Sequence, residues 1–348
     1  MEKRVKIKDI AEKCGFSSTL VSLVLNDKAS RYGIKPETQE KVLYTASQMG
    51  YFGDKPLKKR KNTSTDNNRK ASIIAMIVPG FDDHFIFEIA PLLDKAFSSI
   101  GLAFTLVSRS KNDNKFKLLL HKIKKLYTGI IIYGDAADDM LIRDLKASSY
   151  PFIVLEKEVV SHRINMVSSD SENACRIVAE HIYELGYKRI SLLDYKNRIV
   201  SPCKTDMLIE SLHEKIPGGL FNVNTLNSCN LEDETDVKKI IKDTRPPDAT
   251  HIFIVKDADM VYPLLSLLKK KNIRVPSDIA VIAMDDRPGF RLTEPPVTAL
   301  KRDYPALALK TSQMLWTEIK NDGKSKYKRS VRIKPELLKG KSSGAMES

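Results

Sequence analysis

The chain has 348 residues, 42% apolar and 29% charged, a globular balance with room for two or three domains and an ample core. No apolar run approaches the roughly 18 residues needed to span a bilayer. The opening Met1-Glu-Lys-Arg-Val-Lys-Ile-Lys-Asp-Ile10 lacks the apolar stretch of an export signal, so a cytoplasmic protein is expected.

The net charge is +14, and residues 1–70 hold 16 Lys/Arg against 8 Asp/Glu, more than half the excess in a fifth of the chain. A basic block of this kind points to a polyanion partner, or to a solvated, self-repelling tail. Cys14, Cys175, Cys203 and Cys229 are far apart and show no CxxC spacing, so neither a zinc site nor a disulfide framework is expected.

In chain order, Ile7, Ile10 and Ala11 set a helical spacing over Ile7–Lys13, which Gly15 can end by taking a left-handed turn. Ser17 is a good N-cap for a second helix running to about Asn26. Leu20, Val21, Val24 and Leu25 form its inner face, and Ser18, Thr19, Ser22 and Leu23 its outer face. A third helix begins at Pro36, carries Val42, Leu43, Ala46 and Met49 on one side, and stops at Gly50. A turn closing one short helix, followed at once by a capped second, is helix-turn-helix geometry, although an ordinary three-helix bundle shares its periodicity. Residues 58–70 carry no apolar side chain and read as a linker.

After Ala71, short apolar runs alternate with helical patterns, the signature of parallel βα units. Strands are expected at 72–78, 103–107, 129–133, 152–155, 189–193, 220–225, 251–255 and 279–284. Helices are expected at 85–100, 114–126, 138–148, 171–185, 204–215, 233–243 and 258–271, with another amphipathic helix around Trp316. Two sets of four or five strands fit two similar lobes better than one large sheet.

Val5-Lys-Ile-Lys-Asp-Ile-Ala-Glu-Lys-Cys-Gly-Phe-Ser17, Val21-Ser-Leu-Val-Leu-Asn26, Pro36-Glu-Thr-Gln-Glu-Lys-Val42 and Met49-Gly-Tyr51 together resemble the headpiece of the LacI/GalR family. The resemblance implies that Ser18, Thr19 and Leu23 face base edges, while Ser17, Leu20, Ser22 and Asn26 lie beside the DNA backbone. Leu23 stands where the family often has arginine, so it can pack on a thymine methyl but cannot grip guanine. The family's hinge consensus is missing from Phe52-Gly-Asp-Lys-Pro-Leu-Lys-Lys-Arg-Lys61. Leu57 can serve as a minor-groove wedge in a shifted register, or the segment is a basic linker; either way Lys58, Lys59 and Arg60 touch phosphates.

The resemblance continues through Ile77-Val-Pro79, Gly129-Ile-Ile-Ile132, His181–Ile190, Arg274–Ala280, Asp285-Asp286, Glu294–Thr298 and Pro335–Leu338. It implies an α/β core of two periplasmic-binding-protein-like lobes with parallel sheets, behind an all-α headpiece. The expected layout is a headpiece at 1–56, a basic linker at 57–70, a core at 71–340 and a tail at 341–348. Lobe 1 is expected at about 71–161 plus 290–321, and lobe 2 at about 162–287 plus 325–340, with crossovers near 160–164, 286–292 and 320–326. An effector would lie between the lobes at the strand ends.

The residues carried over to that cleft are Asp83, Phe85, Glu156, Lys204, Lys256, Asp257 and Asp285; the plain alternative is that they are loop and helix-cap groups. Lys204 and Lys256 favour an acidic ligand, such as a phosphorylated or carboxylated sugar. No nucleophile constellation, P-loop, dinucleotide fingerprint or HExxH is present, so no enzyme, metal or cofactor is expected. The expected function is a homodimeric transcription regulator, by default a repressor, binding operator DNA and a sugar-like effector. The alternative is a solute-binding protein of a transporter, which shares the core but has no use for residues 1–60.

Overall fold

The computed structural model describes residues 5–25, 29–49, 72–109, 113–159, 162–195, 204–227, 231–244, 250–325 and 328–344. Three helices form the front unit: α1 (Ile7–Cys14), α2 (Ser18–Leu25) and α3 (Pro36–Gln48). Gly15 caps α1 at φ 75°, a left-handed conformation that glycine takes without steric cost, and its N–H donates to the Ala11 carbonyl. The Ser17 hydroxyl accepts from the Leu20 N–H at 3.2 Å, capping α2 as expected. Ile10, Ala11, Cys14, Val21, Val24, Val42 and Ala46 bury together, so helix spacing alone has built a small core.

Lobe 1 holds a sheet of β1 (Ile73–Val78), β2 (Ala103–Ser108), β3 (Gly129–Tyr133), β4 (Phe152–Leu155), β5 (Met166–Ser169) and β11 (Ser330–Ile333). Its order is β11-β5-β4-β3-β1-β2, with every pairing parallel. Lobe 2 holds β6 (Arg189–Tyr195), β7 (Leu220–Leu226), β8 (His251–Val255), β9 (Ala280–Ala283), β10 (Thr298–Lys301) and β12 (Glu336–Leu338). Its order is β12-β10-β9-β8-β6-β7, and only β12 runs antiparallel. The first five strands of each lobe therefore share one winding.

Helices cover both faces: α4 (His84–Ser98), α5 (Asp113–Leu126), α6 (Asp139–Ala147) and α11 (Tyr304–Lys320) lie with lobe 1. Helices α7 (Ser171–Glu184), α8 (Thr205–Lys215), α9 (Glu234–Asp243) and α10 (Val261–Lys270) lie with lobe 2. Strands β1, β3, β4, β8 and β9 are almost wholly buried, which is why they read as unbroken apolar runs.

The crossovers differ from expectation. The chain passes between lobes after β5 (169–171), between β10 and α11 (301–304), and between β11 and β12 (333–336). Each lies about ten residues later than the sequence suggested, because β5, β10, β11 and β12 are three- or four-residue strands with no periodic signal of their own. Cys175, buried in α7, is disulfide-bonded, whereas the cysteine spacing led to no expectation of a disulfide.

Residues 341–344, expected as the start of a tail, belong to lobe 2. The buried Ser342 hydroxyl donates to the Val281 carbonyl at 2.6 Å and accepts from the Thr298 N–H at 2.9 Å. Ser343 meets Thr298 Oγ1 at 2.7 Å and His181 Nε2 at 3.0 Å, and the Tyr187 hydroxyl donates to its carbonyl at 2.9 Å. Burial, helped by Lys339, holds the His181 imidazole below its ordinary value, and Glu184 opposes them. A depressed histidine is neutral in the fold, so its contribution is complete above an unfolded-state value of about 6.5 and is lost as pH falls below it. Melting of lobe 2 should therefore drop between pH 7.5 and 5.5, and His181→Asn should flatten that dependence. An equal drop in the variant would remove His181 as the cause.

Candidate functional site

Two sites take shape. On the front unit, Ser17, Ser18 and Thr19 stand exposed at the N-terminus of α2, while Ser22 and Leu23 are half-buried. Short hydroxyl side chains beside free helix N–H groups can donate to phosphate and reach base edges without steric conflict. Only part of Leu23 is left to touch a base. Asn26, Leu57, Lys58, Lys59 and Arg60 lie outside the described residues.

The second site lies at the carboxyl ends of the strands, where the two lobes face. Asp83, after β1, caps α4 by accepting the Phe85 N–H at 3.0 Å, and it also accepts the Tyr133 hydroxyl at 2.5 Å. Phe85 is buried and stacks on Tyr133, with centroids 4.8 Å apart and planes within 1°. Burial, reinforced by Asp83, raises the Tyr133 phenol well above its ordinary value, so it stays a neutral donor.

Glu156, after β4, takes φ 57°, an uncommon conformation for a residue with a side chain. Its carboxylate accepts the Ser169 N–H at 2.5 Å and the Ser169 hydroxyl at 3.0 Å. From lobe 2, Asp285 follows β9 and Asp257 follows β8. Asp257 caps the short helical turn at 258–260, accepting the Asp259 N–H at 3.0 Å.

Arg302, at the second crossover, joins the lobes. Its guanidinium donates to Glu156 of lobe 1 and to Asp285 of lobe 2, both at 3.2 Å, and it lies 5.1 Å from the centre of the Phe85 ring. Burial works against its charge; Asp285 and Glu156 outweigh burial and raise it above its ordinary value. Burial raises the Glu156 carboxyl, and Arg302 opposes that shift. Asp285 is shared with Arg287 at 3.2 Å, and Arg287 also donates to Asp259 at 2.8 Å.

The structure thus gathers Asp83, Phe85, Glu156 and Asp285 around one seam and adds Arg302, Tyr133 and Tyr304, which the sequence did not single out. Arg302 and Tyr304 follow β10, one of the strands without a signal. Tyr133 closes a strand that was recognised, and its terminal position was the available clue. The two lysines differ: Lys204 is exposed at the N-terminus of α8. Lys256 donates to Asp194 and to the Thr205 hydroxyl, both at 2.7 Å, so its charge already has a carboxylate. The expected pair of cations for an acidic ligand therefore loses one member to an internal ion pair.

A family model for periplasmic-binding-protein-like domains matches residues 179–343. The HTH-type transcriptional regulator MalR of Streptomyces coelicolor is 23% identical over 337 residues, 90% of each chain. The HTH-type transcriptional repressor PurR of Pasteurella multocida is 24% identical over 343 residues, covering 97% of this chain and 98% of that one. Among solved structures, the transcriptional regulator CelR–cellobiose complex aligns with a TM-score of 0.65 at 19% identity, over 97% of this chain and all of its own. The lac repressor dimer bound to operator and the anti-inducer ONPF aligns with a TM-score of 0.64 at 18% identity, over 98% and 99% of the two chains.

Fold and site together define a two-lobed periplasmic-binding-protein-like core behind a helix-turn-helix headpiece. The resemblance to the LacI/GalR regulators expected from the sequence is borne out, and it runs through the core as well as the headpiece.

Proposed function

We propose that the chain is a sequence-specific transcription regulator, by default a repressor, whose operator affinity is set by a sugar-like ligand held between the lobes. The observation that carries this is the pairing of an exposed, serine-capped second helix with a two-lobed core whose polar strand ends converge. A bacterial cytoplasm is the setting for this work, and a homodimer would present two headpieces to a two-fold operator. Ser17, Ser18, Thr19, Ser22, Leu23 and Asn26 are the proposed groove and phosphate contacts, with Leu57, Lys58, Lys59 and Arg60 continuing them. Ligand acts only through different affinities for the two lobe arrangements. Internal pairing of Lys256 and Arg302 favours a neutral hydroxylated ligand over an acidic one.

The test is a salt titration of binding to duplex DNA from upstream of the gene, with and without candidate sugars. Six or more phosphate contacts should cost on the order of a thousandfold in affinity between 50 and 200 mM salt. Weak binding that does not respond to salt would reject the reading.

Asp257→Ala separates the two sites. Loss of its cap should cost about 1 kcal/mol of stability. Operator binding without sugar should stay within about twofold, a change of under half a kcal/mol, while the response to sugar disappears. A retained sugar response, measured by anisotropy of labelled operator, would take Asp257 out of the ligand site.

A further inference from the structure

The seam between the lobes holds its cation already, and that cation sits on a hinge. Arg302 occupies the second crossover, with its side chain 3% exposed. One arm reaches Glu156 of lobe 1 and the other Asp285 of lobe 2. Glu156 is itself fixed by Ser169, which stands at the first crossover. The third crossover joins the first through the Asp170 N–H, which donates to the Ile333 carbonyl at 2.8 Å. Two of the three passages between lobes are thus tied by a single chain of charge-assisted bonds through Arg302, and the third is hydrogen-bonded to them.

We propose that Arg302 is a built-in latch: it holds the lobes at this spacing when no effector is bound, and its strength sets how much binding energy an effector must supply to change that spacing. A bidentate guanidinium suits this role because its planar fork satisfies two carboxylates in fixed directions, which an ammonium cannot do. The surroundings support it, since a guanidinium this buried loses a compensating carboxylate when either lobe draws away. Phe85 of lobe 1 lies under the guanidinium and restricts where it can move. The other groups facing the latch are Tyr133, Tyr304 and Arg287; burial keeps both phenols neutral, and Arg287 is occupied by Asp285 and Asp259. A ligand that prefers another lobe spacing works against the latch, and one that prefers this spacing is helped by it.

The inference rests on the reading that the lobes move, but its test needs neither DNA nor sugar. The full chain is compared with Arg302→Met and Glu156→Gln by hydrogen exchange without effector. Exchange at the crossovers (169–171, 301–304 and 333–336) should quicken by about tenfold in both variants, while the inner turns of α4 and α7 keep their protection. The double variant should loosen no further than Arg302→Met alone, since the Glu156 bond is one of the two that Arg302→Met already removes. Unchanged exchange at the crossovers, or acceleration spread evenly through both lobes, overturns the latch. If Arg302→Met does not fold, Glu156→Gln with Arg302→Lys decides the matter, because lysine should restore only part of the protection. Loss of salt-dependent DNA binding would reject the regulator reading and leave this result standing.

Discussion

A chain carrying Val21→Asp should lose operator binding by at least about a hundredfold while its two lobes melt as before. Val21 is fully buried at the centre of the headpiece core, against Ile10, Cys14, Val42 and Ala46. A unit of some 45 residues keeps only a few kcal/mol of net stability. A lone buried carboxylate with no partner costs several kcal/mol, so the headpiece unfolds rather than accommodates it. The core keeps its own clusters on both sheets and should not register the change. By contrast, Ser18→Ala or Thr19→Ala should weaken operator binding by no more than about tenfold, since each short side chain contributes at most one modest contact. Anisotropy with a labelled operator, set beside a melting curve of each variant, reads both effects. A Val21→Asp chain that held its operator as firmly as the parent would mean that these helices do not form the reader.

The headpiece was legible because its order is local. Ile10 and Ala11 meet Val21 and Val24 through helix spacing, and the Gly15 turn and Ser17 cap are single-residue signals. The buried strands β1, β3 and β8 were legible as unbroken apolar runs. The short strands β5, β10, β11 and β12 were not, because pairing with distant strands makes them and nothing in their own texture does. That omission displaced all three crossovers and hid Arg302, whose meaning depends on carboxylates 146 residues and 17 residues away along the chain. Lys256 shows the same limit from the other side. Its charge is visible in the sequence, but Asp194, the group that neutralises it, is 62 residues earlier. Types of side chain at strand ends could be read; which charge faces which could not.

Asp285→Ala should lower the melting temperature of the core by about 10 °C. The Asp285 carboxylate accepts from Arg287 and Arg302 through one oxygen, and these guanidiniums are 7% and 3% exposed. Breaking a buried ion pair by removing one partner costs about 3–5 kcal/mol, since the remaining charge cannot regain water. Two features hold the cost near the lower end: Arg302 keeps Glu156, and Arg287 keeps Asp259. At about 2–4 °C per kcal/mol for a core of this size, a loss near 3 kcal/mol gives the stated shift. Asp285→Asn keeps an acceptor and should cost less than half as much, because the charge is lost but a hydrogen bond survives. The second oxygen of Asp285 is buried and has no partner among the described residues, so a ligand hydroxyl has an acceptor waiting there. Asp285→Asn should therefore weaken the sugar response more than it weakens the fold. Equal melting temperatures for the parent and Asp285→Ala would show that the guanidiniums do not depend on this carboxylate, and the seam would lose its central charge.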